Sequence, residues 1–235
     1  MIRSHVMLLI VLAGLSGGCA ATLQARDVQP SGFLGEDRVL LKPKQEKGGT
    51  LHQYTKPVAE WPAYDKIILD PVIVWDGLSS KLTRDQLDEL AELSGSFYTR
   101  LFQKLSQDYQ MVETPALGTL RMTMVITDVE TSWMAPAFLS KLILELQVAN
   151  KLWSLSSGKP VFAGEASVEF KVQDARTGEL LIAGIDRRVG GQKLFDREVF
   201  SSWGDVKNSL TFWADLSVYQ LCTLRGRTDC IEPEA

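Results

Sequence analysis

The most regular alternation of apolar and polar residues lies between residues 83 and 106 and predicts a long amphipathic helix. Its apolar residues recur after one or two helical turns and share one stripe: Leu87, Leu90, Phe97, Leu101 and Leu105. Thr83 followed by Gln86 has the spacing of a capping box, and Leu82 with Leu87 has that of a hydrophobic staple. A helix of about 24 residues, rising about 1.5 Å per residue, is long enough to cross a whole sheet.

Several other segments have the composition or alternation of β-strands. "YDKIILDPVIVW" at 64–75 is a nearly continuous β-branched run, typical of a strand covered on both faces, in which Pro71 indicates a bulge or the end of pairing. "YQMVET" at 109–114 and "LRMTMVITDVETS" at 120–132 predict two further strands. "ASVEFKVQD" and "ELLIAGIDRR" flank the turn "DARTG" at 174–178, so they predict a hairpin with one polar face.

A closing helix is predicted from about residue 202, because apolar residues then recur along one side. These are Trp203, Val206, Leu210, Trp213 and Leu221. Residues 137–155 fit either a helix or a strand, and the spacing of their apolar residues favours a helix. The resulting order, β-α-β-β-(α)-β-β-α, predicts an α/β (α+β) fold for residues 63–235. It is a single domain with a mixed β-sheet and helices packed mainly on one face.

The first 18 residues have the layout of a lipoprotein signal peptide. Arg3 precedes an apolar run of about ten residues, which is too short to span a membrane because hydrocarbon requires roughly 20. "LSGGC" then ends at Cys19, and small residues directly before a cysteine resemble the lipobox of bacterial lipoproteins. That resemblance implies cleavage before Cys19, whose sulfur takes a diacylglycerol and whose new amine is acylated.

Two other interpretations of this segment remain open: an ordinary cleaved signal, and a buried N-terminal strand that ends in a cysteine. Leu15 lies four residues before Cys19, one place further than the lipobox leucine. Ala20 follows the cysteine, in place of the aspartate that commonly retains such proteins at the inner membrane. Lipidation at Cys19 therefore predicts attachment to the outer membrane through this residue, with the protein facing the periplasm.

Residues 19–62 are predicted to form a tether and N-terminal arm that partly wraps the domain. "LKPKQEKGG" at 41–49 is polar and has no sustained period. Treated as flexible coil, about 40 residues would reach roughly 35 Å from the anchor. Within the arm, Phe33 and Leu34 of "SGFLGED" are flanked by glycines and are predicted to dock on the domain.

The charge of the chain argues against binding to nucleic acid. Without residues 1–18 it keeps 24 Lys and Arg residues against 29 Asp and Glu residues, a formal charge of −5. Nucleic-acid binding needs clustered positive charge that displaces counterions from phosphates. The 45% hydrophobic content is enough for one sizeable core.

The two cysteines near the C-terminus, Cys222 and Cys230, form an even pair. In an oxidising compartment such a pair predicts a disulfide, and two unpaired thiols are the alternative. A zinc site is not predicted, because two sulfurs without a nearby histidine cannot complete a tetrahedral shell.

Few residues are suited to catalysis. His52 is the only histidine after the signal segment, which excludes Ser-His-Asp and Cys-His catalysis and any site with two histidines. A carboxylate pair for glycoside cleavage remains formally open. Its candidates, which can equally be exposed or turn-capping groups, are Asp70, Asp128, Glu165 and Asp186. The sequence therefore predicts no catalytic residues, no cofactor and no metal site.

The candidates for an interaction surface are aromatic and basic residues. Trp133 and Met134 lie in "TSWMAPAF", a segment interrupted by proline, and tryptophan is enriched at recognition sites because it buries a large area and keeps a polar N–H. Arg187 and Arg188 follow the hairpin and could grip an anionic ligand, although such residues commonly form surface ion pairs.

Segments along nearly the whole chain also resemble a known family. They are "SGFLG" at 31–35, "YDKIILDPV" at 64–72, "PALGTLRM" at 115–122, "GEASVEF" at 164–170, "DARTGELL" at 174–181 and "WGDVKNSLTFWADL" at 203–216. Together they resemble a family of bacterial lipoproteins catalogued as domain of unknown function 3313. The resemblance implies a secreted or lipid-anchored protein of a Gram-negative envelope, with no assigned activity.

The function predicted from these observations is that of a non-enzymatic binding or accessory module. The protein is expected to be anchored at the outer membrane, to face the periplasm and to have a cell-envelope protein as its partner. Two alternatives stay open: a carboxylate-dependent hydrolase of cell-wall material, and a small-ligand or lipid-binding domain with an apolar cavity under residues 137–155.

Overall fold

The computed structural model describes residues 22–44, 49–57, 59–131, 164–190 and 203–234. In chain order, its strands are β1 (Thr22–Gln24), β2 (Lys42–Pro43), β3 (His52–Thr55), β4 (Lys66–Leu69), β5 (Ile73–Val74), β6 (Gln110–Met111), β7 (Thr119–Glu130), β8 (Glu165–Asp174) and β9 (Leu180–Gly190). The α-helices are α1 (Arg84–Leu105) and α2 (Gly204–Leu224). Short 3-10 turns occur at Gly35–Leu40, Trp61–Ala63 and Asp76–Ser80.

All of these strands belong to one mixed sheet. Neighbouring strands follow the order β2-β3-β9-β8-β7-β4-β6, while β1 pairs with β9 and β5 pairs with β7. β4 and β5 run parallel to β7, and β6 runs parallel to β4. The remaining pairs are antiparallel. The predicted fold class, an α/β (α+β) domain with a mixed sheet, is confirmed.

The helix α1 begins where its local sequence signals predict. The Oγ1 atom of Thr83 accepts the N–H of Gln86 at 3.4 Å, and the Gln86 side chain accepts the N–H of Thr83 at 2.9 Å. Both halves of the capping box are therefore present. The predicted apolar stripe is buried at Leu90, Phe97, Leu101 and Leu105.

Both helices lie on the same face of the sheet, as the sequence predicts. α2 packs beside α1 and over β8 and β9. The core between the helices and this face includes Met122, Met124, Ile126, Val168, Phe170 and Val172 of the sheet, together with Trp203, Val206, Leu210, Trp213 and Leu221. The sheet residues alternate along their strands, as the period of two requires.

The opposite face of the sheet is polar but not exposed. Ser167 and Glu169 of β8 are only 3% and 0% exposed. Residues 31–37 lie against them, and Leu34 is itself buried at 2% exposure. The predicted docking of Leu34 is therefore confirmed. The hairpin's polar face is covered by the N-terminal arm of the same chain.

The N-terminal arm is part of the sheet within the described residues. β1 and β3 both pair with β9, and β2 pairs with β3. The interpretation of residues 19–62 as a flexible tether is thus corrected for 22–44 and 49–57. The physical reason is that β9 offers a free edge, whose backbone groups order a polar segment that has no hydrophobic period. Residues 137–155, predicted as a helix, lie outside the described residues.

Candidate functional site

The strand β1 is held tightly at one end of the sheet. Thr22 pairs with Gly190, and Gln24 pairs with Arg188. The Nε atom of Arg188 also donates to the Oγ1 atom of Thr22 at 2.8 Å. The side chain of Gln24 donates to the carbonyl oxygen of Gly49 at 2.8 Å and to Asp186 at 3.1 Å. Backbone pairing and side-chain bonds together fix the first described residues to β9.

A buried carboxylate lies between the sheet and α2. Asp186 is 0% exposed and accepts the indole N–H of Trp213 at 2.7 Å and the backbone N–H of Leu51 at 3.0 Å. Burial raises the pKa of Asp186, and this effect exceeds the opposite one of the Trp213 hydrogen bond and of the Arg188 charge. The network joins β9, α2 and the segment before β3, so its evident task is structural.

Arg188 is buried, which corrects its prediction as part of an interaction surface. It is 1% exposed, and its guanidinium lies 3.5 Å from the centroid of the Phe212 ring. The carboxylate of Asp186 lies 3.9 Å from the guanidinium. Burial lowers the pKa of Arg188 to about 10, which leaves it charged at neutral pH. The cation balances Asp186 inside the core and stacks on an aromatic face.

Arg187 points to the other face of the sheet, because successive strand residues alternate. It is half-buried, forms an ion pair with Glu165 and lies 3.6 Å from Asp27. The two arginines therefore do not form a common anion site. Arg187 connects β8, β9 and the N-terminal arm.

Two more of the candidate carboxylates are bound by cations. Arg121 donates twice to Asp70, with a shortest distance of 2.8 Å, and Thr123 donates at 2.6 Å. Burial would raise the pKa of Asp70, but these hydrogen bonds and the Arg121 charge lower it below its ordinary value. Asp128 accepts from Lys81 at 2.9 Å.

The four candidate carboxylates do not form one hydrolytic site. Asp186 faces α2, whereas Glu165 lies on the opposite face of the sheet. The backbone N–H of Asp70 bonds Met122, six residues before Asp128 along β7 and thus roughly 20 Å away. Asp128 and Glu165 lie on neighbouring strands, but each is held by its own cation. Hydrolysis by two carboxylates needs the pair within about 5–9.5 Å and available to react.

A further buried carboxylate, Glu169, holds the N-terminal arm. It accepts the backbone N–H of Ser31 at 2.5 Å and that of Leu34 at 3.3 Å. Lys171 donates to the carbonyl oxygen of Leu34 at 3.3 Å and to Asp37 at 2.7 Å. The alternation of the sequence places Glu169 and Lys171 on the polar side of a hairpin and does not reveal this role. The glycine-flanked "SGFLG" turn is the signal that something binds there.

A groove beside α2 has a volume of about 620 Å³. The C-terminal halves of both helices, the C-terminal tail and Thr22 border it, and its apolar lining includes Phe212, Tyr219 and Ile231. Its charged groups are largely paired, because Lys104 lies 3.0 Å from Asp215, and Arg227 binds both Asp108 and Asp229. A smaller hollow of about 370 Å³ is lined by Asp70, Tyr98, Phe102 and Arg121.

The predicted disulfide between Cys222 and Cys230 is confirmed, with a sulfur–sulfur distance of 2.02 Å. Asp229 brings a carboxylate oxygen within 4.8 Å of both sulfurs. This cluster does not offer thiolate ligands, because the two sulfurs are bonded to each other.

The remaining predicted site residues, Cys19, Trp133 and Met134, lie outside the described residues. His52 is half-buried in β3. Among the helices that the structure describes, none is long and apolar enough to cross a membrane.

Comparison with known proteins finds one family and a distant likeness in fold. Two crystal forms of the PelC dodecamer from Paraburkholderia phytofirmans match with TM-scores of 0.37 and 0.36 at 12% and 13% identity. Each alignment covers 71% of this chain, and 93% or 94% of the PelC chain. No curated protein sequence matches. The model of the family described as "Protein of unknown function (DUF3313)" matches residues 29–217, so the chain belongs to that family.

Proposed function

We propose that this protein is a lipid-anchored component of the outer membrane that faces the periplasm. In this proposal Cys19 carries the lipid, and the α/β domain acts as a non-enzymatic binding or accessory module for another cell-envelope component.

One observation carries the anchoring part of the proposal. "LSGGC" resembles a lipobox, and the folded domain begins only three residues after Cys19, where β1 pairs with β9. A buried N-terminal strand that includes the apolar run of residues 6–15 would need a partner edge. At Thr22 the edge of β9 reaches its last residue, Gly190. The pairing therefore supports a segment that leaves the sheet toward its N-terminus.

The binding role is supported by the state of the charged groups. The candidate carboxylates each have a cation or donor bound to them, and the groove beside α2 is lined by side chains that neutralise one another. Groups arranged in this way suit recognition by shape and hydrogen bonding better than proton transfer, which needs a group with a perturbed pKa and a free neighbour.

The anchor is tested by Cys19→Ala in cells fed radiolabelled palmitate. The wild-type protein is expected to take up label and to sediment with outer membranes. Cys19→Ala should lose the label and enter the soluble fraction. A variant with Cys222→Ala and Cys230→Ala is the matched control, because it removes the other cysteines and should keep the label. Unchanged labelling of Cys19→Ala would overturn the proposal.

The binding role is tested by crosslinking in intact cells followed by mass spectrometry. The lipidated protein is expected to give the same envelope adduct in repeated experiments, and Cys19→Ala should reduce its yield. The absence of any reproducible adduct would contradict the accessory role. A cell-wall hydrolysis product released by the purified protein would contradict its non-enzymatic character.

A further inference from the structure

We propose that the end of the sheet that bears Thr22 lies against the membrane surface, with the long strands directed away from the bilayer. This inference rests on the proposed lipidation of Cys19 and specifies which surface of the domain meets lipid.

The strand register defines this end. Across the sheet, Glu130 of β7 pairs with Glu165 of β8, and Glu165 pairs with Val189 of β9. The next residue of β9, Gly190, pairs with Thr22. One row of paired residues thus contains the end of β7, the start of β8, the end of β9 and the start of β1.

The length of chain between Cys19 and Thr22 places the domain close to the lipid. Three residues span at most about 11 Å, even when fully extended. Thr22 cannot move away from the sheet without loss of its pairing to Gly190 and of its bond from Arg188, a side chain that is 1% exposed. A free tether of 40 residues would have allowed roughly 35 Å of separation. The observed arm leaves about a third of that distance.

The helix α2 begins at the same end and runs away from it. Asp205, in its first turn, accepts the N–H of Gly164 at 2.7 Å. A side chain at Gly190 would meet the carboxyl group of Asp205 at 2.1 Å, so glycine is needed for this close approach. Further along the helix, Trp213 bonds Asp186 and Gln220 bonds Gln53. Gln53 pairs with Gly184, so α2 follows β9 toward the opposite end.

The chain enters and leaves its connections 132–163 and 191–202 at this end, through Thr131, Gly164, Gly190 and Trp203. In sequence, the first of these connections begins with Trp133 and Met134. Tryptophan favours the level of the lipid headgroups, because its ring is apolar and its N–H is polar. The surface itself is defined by the described row of residues, and this composition agrees with it.

The opposite end should lie in solution. The turn between β8 and β9 contains Arg176, which is exposed. β8 has 10 residues, so this turn lies about 30 Å from the proposed membrane end. Thr223, near the end of α2, is exposed as well and lies about 24 Å from Lys207 along the helix axis.

The test measures the depth of single fluorescent probes on the lipidated protein. Glu130→Cys and Lys207→Cys place exposed probes toward the proposed membrane end, whereas Arg176→Cys and Thr223→Cys are the matched positions at the far end. Each protein is purified with its lipid, labelled with bimane and reconstituted into phosphatidylcholine vesicles with nitroxide-labelled headgroups. The native disulfide is kept, so only the added cysteine reacts.

We expect quenching at Glu130→Cys and Lys207→Cys to be at least about threefold stronger than at the two far positions. Circular dichroism and labelling stoichiometry identify any variant that fails to fold, and each end retains a second position. Equal quenching at both ends on vesicle-bound protein would overturn the orientation and leave lipidation intact. Protein that carries no lipid and does not sediment with vesicles would overturn the proposed function, and the orientation with it.

Discussion

At the scale of single residues, both faces of the central hairpin carry a buried carboxylate whose partners come from elsewhere in the chain. Asp186 faces α2 and is balanced by Arg188, while Glu169 faces the N-terminal arm and accepts backbone N–H groups. Buried charges of this kind specify the position of what they bind, because no other arrangement satisfies them. They explain why the arm and α2 each have one defined place on the sheet.

Replacement of Arg188 is predicted to be strongly destabilising. Arg188→Ala leaves Asp186 charged and buried without its cation, so the free energy of unfolding should fall by about 3–5 kcal/mol in urea titrations at pH 7. Arg121→Ala removes a more exposed partner of Asp70 and should cost about 1 kcal/mol or less.

The same network offers a rescue. Because burial already raises the pKa of Asp186, its charge is costly once Arg188 is gone. The double variant with Asp186→Asn and Arg188→Ala should therefore recover part of the lost stability. A double variant that loses as much as the sum of the two single changes would contradict charge balance as the cause.

The phenol of Tyr64 is predicted to cause a loss of stability at alkaline pH. Burial, together with its hydrogen bond to Asp174 at 3.0 Å, raises its pKa from 10.0 to about 12. The unfolded chain releases this proton near pH 10 and the folded protein only near pH 12, so the stabilisation is complete below pH 10 and is lost between these values. Tyr64→Phe should make urea unfolding less pH-dependent between pH 10 and 12.

A second variant checks the role of Asp174 in this effect. Asp174→Asn removes the negative acceptor, and the absorbance titration of the Tyr64 phenol should move toward lower pH. An unchanged titration would show that Asp174 does not contribute.

At the scale of elements, local signals predict α1 well and the N-terminal strands not at all. The capping box and the stripe from Leu90 to Leu105 are contained in the helix itself. β1 and β3 carry no period of their own, and their order comes from pairing with β9 more than 125 residues later. Contacts so far apart in sequence leave no trace in local patterns.

The candidate site shows the same division between local and distant information. The Cys222–Cys230 pair is predictable, because both residues flank the same short loop. The prediction of Arg188 at a surface is wrong, although its alternation with Arg187 already places it on the same face as Asp186. What the sequence does not reveal is which of the two faces α2 covers.

The clasp around residues 31–37 is predicted to depend on Glu169. Glu169→Gln replaces a carboxylate by an amide, which turns one acceptor toward backbone donors into a donor. Hydrogen bonds to charged groups contribute about 1.5–3 kcal/mol, so amide exchange at residues 31–37 should accelerate about ten- to a hundredfold. The measurement is hydrogen exchange followed by mass spectrometry.

The matched control for this change is Glu113→Gln, an exposed carboxylate in the connection after β6. It should leave exchange in the arm unchanged. If Glu169→Gln also left exchange there unchanged, the arm would be held by Leu34 packing alone.

At the scale of the whole molecule, the two ends of the sheet differ in what they join. One end gathers Thr22, the start of α2 and the ends of the long strands. At the other end, the chain beyond α2 fastens the end of α1. Arg225 donates to the carbonyl oxygen of Asp108 at 3.0 Å and lies over the ring of Tyr109 at 4.9 Å.

The disulfide completes this second end, and its removal is predicted to weaken the whole domain. Cys222 is buried in α2, and its bond to Cys230 keeps Arg227 beside Asp108. Closing a loop with a sequence separation of 8 lowers the entropy of the unfolded chain, which contributes about 2–3 kcal/mol on the loop-entropy model. The variant with Cys222→Ala and Cys230→Ala should lose about this much in urea unfolding, and dithiothreitol should lower the stability of the wild type similarly. Cys19→Ala should keep the full sensitivity to dithiothreitol, because its disulfide is intact. Equal stability of oxidised and reduced wild type would mean that the polar contacts of Arg225 and Arg227 hold the tail without the covalent bond.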